Sequence, residues 1–185
     1  MADREACERR VYRLALLLTG NERAATGVTA TVVGLRRDLH RIGGARLDRL
    51  TVLRSREARR TAPDSPLVDA PIRHALGSMP RQQLESWVFH RVFQLPLREM
   101  SRAMDCSVTA TERHLDLAED MLEKEAGVGA SSRATTQVRQ WILGIDVPVV
   151  YRRRMVRKRR TRLALRIAGI VLILAVIGAA VAAVL

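Results

Sequence analysis

Apolar residues in the first 60 positions recur in steps of three and four, the spacing of one face of an α-helix. Cys7, Val11, Leu14 and Leu18 form the first such row, which ends at Thr19-Gly20-Asn21, where Asn21 is placed to cap a following helix. Ala25, Val28, Val32, Leu35, Leu39 and Ile42 form a second row running to Gly43-Gly44. A third helix is expected from Ala45 to Arg60, with Leu47, Leu50 and Leu53 inward. Residues 61–71, TAPDSPLVDAP, hold three prolines and no periodicity and read as a linker. Beyond it the pattern predicts a short helix around Ile72 to Gly77, a start signal at Met79-Pro80 and a helix from Arg81 to Phe93. Two further helices are joined by a tight turn. Leu97 to Met104 points Leu97, Met100 and Met104 inward, Asp105-Cys106-Ser107 turns the chain, and Ser107 can cap the next helix. That last helix is expected to bury Val108, Thr111, Leu115, Ala118 and Leu122, leaving Thr109, Ala110, Glu112, Arg113, Asp116 and Asp120 outward.

The periodicity then stops. Residues 126–150 read as a second linker, and its AGVGASSRATT stretch, Ala126 to Thr136, is open enough in composition to be cut by a protease. Residues 151–162, YRRRMVRKRRTR, hold Arg152, Arg153, Arg154, Arg157, Lys158, Arg159, Arg160 and Arg162. From Ile167 the chain runs 19 positions to Leu185 without a charge, and the apolar segment extends back to Leu163 if Arg166 snorkels. At roughly 1.5 Å per residue such a helix crosses a hydrocarbon layer of about 30 Å, so residues 163–185 are expected to be a single transmembrane helix. The basic collar then places everything before it on the cytoplasmic side of the membrane. A nucleic-acid patch is the other reading of such a collar, but a basic run abutting an apolar span is more often a topology signal and a contact to anionic lipid. Ala175, Ala179 and Ala183 have the spacing that lets two spans pack closely, a weak signal in an alanine-rich segment.

Charge sharpens this division. The chain carries 32 Lys and Arg against 19 Asp and Glu. Residues 1–60 hold 14 basic and 7 acidic groups (net +7), residues 61–130 hold 7 and 11 (net −4), and residues 131–185 hold 11 and 1 (net +10). The two helices joined by the tight turn therefore lie in the acidic stretch. Between Val108 and Glu125, Arg113 and Lys124 face Glu112, Asp116, Glu119, Asp120, Glu123 and Glu125, which opposes approach to a polyanion. Aromatic residues are only 3% of the chain, which leaves few side chains for stacking on bases. Cys7 and Cys106 have no paired spacing, and His40, His74, His90 and His114 form no ligand pair, so no metal or cofactor is expected. With no paired carboxylates, no nucleophile and base arrangement and no glycine-rich phosphate loop, an enzyme is not expected either.

The stretch ALGSMPRQQLESWVFHRVFQLPLREMSRAMDCSVTATERHLDLAEDML resembles region 4 of the sigma-70 family of RNA polymerase sigma factors, in its extracytoplasmic-function type. The likeness lies in the Ala-Leu before a Pro, the Arg-Gln that opens the next helix, the Leu-x-x-x-Glu-Met of the first reading helix and the Cys-Ser-Val turn. VYRLALLLTGNERAATGVTATVVGLRRDL with RLDRLTVLRSREARR is similar to region 2. The resemblance covers roughly residues 5 to 123. It implies an all-α protein of two small helical domains, a region 2-like bundle over 1–60 and a region 4-like helix-turn-helix over 72–125, followed by the transmembrane helix.

By that resemblance the region 2-like part meets RNA polymerase core and the −10 element of promoter DNA, and the region 4-like part reads the −35 element. Ser107, Thr109, Thr111, Arg113 and His114 are then the expected DNA contacts of the second helix, since its N-terminal part enters the major groove. Arg49, Arg54, Arg56, Arg59 and Arg60 are the expected phosphate contacts of the region 2-like part; arginines that solubilise a helical bundle and pair with its acids are the equal alternative. Two functions are consistent with this pattern. One is a membrane-tethered sigma-like protein of transcription initiation. The other is a degenerate sigma fold serving as a membrane-anchored interaction module that binds polymerase or an anti-sigma-like protein without reading a promoter.

Overall fold

A computed structural model describes residues 2–34 and 43–147. Among them every regular element is helical and no strand occurs, so this part of the chain is all-α, as its periodicity predicts. The order is α1 (Ala2–Thr19), α2 (Glu22–Gly34), α3 (Gly44–Arg56), α4 (Ala70–Ser78), α5 (Arg81–Trp87), α6 (Leu97–Met104), α7 (Val108–Ala126) and α8 (Ala130–Leu143); a π-helical turn, Val88–Val92, extends α5. Leu35, Leu39 and Ile42 of the expected second helix lie outside the described residues. So do the basic collar, the candidate span and its small-residue row.

Helix α1 is the central element. The expected stripe is there, but Tyr12, Ala15, Leu16 and Leu17 are buried as well, because α2, α3, α5 and the π-helical turn all pack around α1. Gly20 ends it in a left-handed conformation (φ +66), and its N–H bonds to Leu16 O at 2.7 Å. A side chain there would collide with the carbonyl of Thr61, whose own N–H donates to Thr19 O at 2.9 Å, so glycine is required by both conformation and space. Asn21 caps α2 as expected, its Oδ1 accepting from Ala24 N at 3.1 Å.

Helix α3 departs from its expected face. Leu47 is buried, but Leu50 is half-exposed and Leu53 is 39% exposed, while Asp48, Thr51, Val52 and Ser55 are buried. Asp48 and Thr51 tolerate burial because they bring partners, whereas the Ser55 hydroxyl is buried without one. Asp48 receives both a 2.9 Å and a 2.6 Å bond from Arg10, and Thr51 donates to Leu47 O at 2.8 Å within its own helix. Arg10 in turn lies 5.2 Å from the Phe93 ring centroid.

Two expected linkers differ from what is found. Residues 61–71 carry no helix up to Asp69, but they are packed rather than loose: Ser65 and Val68 are buried and Arg73 donates to Ser65 O at 3.2 Å. Residues 126–150 are not a linker throughout, because α8 occupies Ala130–Leu143 and buries Ala130, Ser131, Ala134, Val138, Trp141 and Ile142. Most of the expected cleavage stretch is therefore helix. Its exposed remnant is Gly127-Val128-Gly129. Arg13 of α1 donates to Leu143 O at 2.6 Å and Ile145 O at 3.1 Å, which satisfies carbonyls left open at the end of α8.

The expected domains over 1–60 and 72–125 lie within one compact unit, Met1–Val147. Side chains of one half close the helix ends of the other. Arg56 of α3 holds Glu85 of α5 at 2.9 and 2.6 Å and reaches Met104 O of α6 at 3.1 Å. Arg60 donates to Leu76 O and Met79 O, and Arg81 returns bonds to Arg56 O and, at 3.0 Å, Ala58 O. Arg49 pairs with Asp105 at 2.9 Å.

Candidate nucleic-acid interface

The turn between α6 and α7 is built by local bonding. Asp105 takes the left-handed conformation (φ 61), and Cys106 N–H bonds back to Ser101 O at 3.1 Å, which closes α6. Ser107 then caps α7, its Oγ accepting from Ala110 N at 3.1 Å. Thr111 Oγ1 donates to Ser107 O at 2.9 Å and lies 3.1 Å from Cys106 Sγ, so the turn is tied to the first residues of α7. Met100, Ala103 and Met104 of α6 are buried, as are Leu115, Ala118 and Leu122 of α7. The unit is thus two packed helices joined by a three-residue turn.

The exposed side of α7 comprises Thr109, Glu112, Arg113, Asp116, Leu117 and Asp120. Arg113 is the one cation among the carboxylates of Glu112, Asp116 and Asp120 here, and the last turn adds exposed Lys124 and Glu125. Of the five expected contacts on this helix, Ser107, Thr109 and Arg113 are exposed and His114 is half-exposed with a buried Nδ1. Thr111 is corrected: it is fully buried, its hydroxyl committed to Ser107 O, and it cannot meet a base or phosphate. Val108, expected inside, is 41% exposed, because it stands at the first position of the helix before the chain has turned into the core. The sequence pattern did not single out Arg98 and Arg102, both exposed on α6. Their i,i+4 spacing, which puts them on one side of the helix that crosses the DNA backbone in such motifs, is the signal that could have found them.

The region 2-like arginines divide. Arg59 is exposed, Arg54 is exposed and bonded to Glu57 at 2.8 and 3.0 Å, and Arg49 shares its charge with Asp105. Arg56 and Arg60 are corrected from phosphate contacts to structural ties. Glu85, only 3% exposed, holds Arg56 firmly charged, its hydrogen bond raising the guanidinium pKa above its ordinary range against the opposing cost of burial. Burial, reinforced by nearby Arg81, lowers that of Arg60, whose donors are turned onto main-chain carbonyls. A guanidinium engaged this way has few donors left for a backbone of DNA. The arginines left on the surface of α3 and just beyond it are Arg46, Arg49, Arg54 and Arg59.

Among the described residues no group of His, Cys, Asp and Glu could hold a metal ion, and no helix is long and apolar enough to cross a membrane. No family model, no curated protein and no solved structure matches this chain.

Proposed function

We propose that this chain is a membrane-tethered, sigma-factor-like protein of transcription initiation, with a region 2-like helical bundle joined to a region 4-like helix-turn-helix. The observation that carries the reading is the α6–turn–α7 unit. Its left-handed Asp105, capping Ser107 and outward Thr109 and Arg113 have the form that presents a helix N-terminus to a major groove. Exposed Arg98 and Arg102 on α6, with Arg49, Arg54 and Arg59 on the bundle side, are the phosphate contacts this reading requires. The anchor is the uncharged run from Ile167 to Leu185 with its collar from Arg152 to Arg162, which puts the helical unit at the cytoplasmic face.

A second reading is favoured by a specific observation. Glu112, Asp116 and Asp120 surround Arg113 on the exposed side of α7, and Arg56 and Arg60 are occupied internally. On that reading the fold is a membrane-anchored interaction module that binds polymerase core or an anti-sigma-like protein through protein contacts, without reading a promoter.

One experiment separates the two. The full chain in neutral detergent is tested for capture of RNA polymerase core and for retardation of promoter DNA at low salt. The sigma reading expects both, with Arg113→Ala weakening −35 selectivity about tenfold, the cost of one base contact. Core binding without DNA retardation leaves the module reading standing, and neither activity ends the sigma reading.

A further inference from the structure

The π-helical turn Val88–Val92, the loop after it and α8 border an open groove of about 520 Å³, apart from the α6–turn–α7 surface. Its walls include His90, Arg91, Gln94, Leu95, Pro96 and Arg139, and no acidic residue lines it. A volume of this size lies within the roughly 300–1,000 Å³ of sites that take small molecules.

The two guanidinium groups differ. Arg91 is already neutralised by Glu119, at 2.7 Å from Nε and 2.6 Å from a terminal nitrogen. Arg139 takes part in none of the ion pairs among the described residues. Its Nε is buried without a hydrogen-bond partner, and its terminal nitrogens reach only a neutral acceptor: Gln94 Oε1 at 2.7 and 3.2 Å, with the amide oxygen turned toward them. His90 Nδ1 is likewise buried without a partner. A guanidinium stays charged at any physiological pH and its planar donors match a carboxylate or phosphate, so the groove holds a cation whose natural counter-group is absent from its walls. The backbone is irregular at the same place. The π-helical turn lines the groove, and Gln94, not a glycine, sits at φ 55. Such departures concentrate where a ligand or switch is served.

We propose that this groove binds a small organic anion, whose carboxylate or phosphate group pairs with Arg139 and whose apolar body lies against Leu95 and Pro96. The proposal does not depend on the sigma-like reading.

The test is a titration of the isotope-labelled full chain in neutral detergent, read by amide chemical shifts, with phenyl phosphate, phenylacetate and inorganic phosphate as probes. Saturable shifts confined to residues 88–96 and 135–139 are expected with phenyl phosphate or phenylacetate, and the one that binds more tightly identifies the anionic group. Arg139→Gln should weaken that probe at least about tenfold, as loss of a charge-assisted, forked hydrogen bond would, and Arg139→Lys should restore part of it. Thr135→Trp, which fills the groove from α8 and leaves Arg139 in place, should block binding even if Arg139→Gln fails to fold. Absence of saturable shifts with both organic probes in the unaltered chain overturns the proposal. So does equal binding by Arg139→Gln, or inorganic phosphate binding as tightly as the better organic probe.

Discussion

Ser107 carries two expectations, an N-cap and a DNA contact, and the structure bears out the first. Its hydroxyl accepts the N–H of Ala110 and so supplies the first turn of α7 with a partner that no main-chain carbonyl can provide. Ser107→Ala should lower stability by about 1 kcal/mol in a denaturant titration, the usual cost of a lost N-cap. Thr111 illustrates the opposite case. It alternates with outward residues in the sequence, but its hydroxyl returns to the carbonyl of Ser107 and the residue is sealed. Its burial was legible in the three- and four-residue spacing of α7, and only the resemblance placed it among DNA contacts; its polar atom is satisfied by its own helix, which leaves the rest of the side chain free to pack. Asp48 was illegible: nothing within α3 announces that Arg10, 38 residues earlier, will hold it in the core.

At the scale of elements, the helices that carry their own signals were all legible. Asn21 and Ser107 cap locally, and Gly20 terminates locally. Helix α8 was not, because its N-terminus is capped from another element. Gly129 precedes it with no side chain to offer, and Glu123 of α7 accepts instead from Gly129 N at 2.5 Å and Ser131 N at 3.1 Å. These backbone bonds, that from Ser131 foremost, hold the Glu123 pKa below its ordinary 4.5. Because the folded value is the depressed one, the cap's contribution is complete above about pH 4.5, the ordinary unfolded value, and is lost as pH falls through the lower folded one. Hydrogen exchange at Gly129 to Ala134 is therefore expected to quicken, relative to the middle of α7, as pH drops below 4.5, after correction for the intrinsic rate. Glu123→Gln should remove that pH dependence. Unchanged protection across the window would show that α8 is held by Trp141, Val138 and Ala134 alone.

For the molecule as a whole, the arginines decide how the halves are joined. Arg56 of α3, Arg60 beyond its end and Arg81 of α5 close carbonyls and a buried carboxylate on the other side of the 61–71 segment. Glu85→Ala leaves the Arg56 guanidinium facing a buried site without its partner, and a loss of about 3 kcal/mol is expected. Because the tie joins both halves, Trp87 and Trp141 fluorescence and far-ultraviolet circular dichroism should fall in one shared thermal transition in the unaltered protein. Two separated transitions would mean that the bundle and the helix-turn-helix fold independently.

Periodicity, caps and prolines by themselves determined the all-helical class, the α6–turn–α7 unit and nearly every helix from α1 to α7, because those signals act over one or two turns of chain. Composition alone set the acidic character of α7. Only the tertiary structure decided that Asp48 is buried, that α8 exists, that Arg56 and Arg60 tie the two halves together, and that Arg139 lies in a groove without a carboxylate. Each of these depends on a partner in another element, and a charged or small polar residue gives no local sign of whether its partner will be water, a main-chain carbonyl or another side chain.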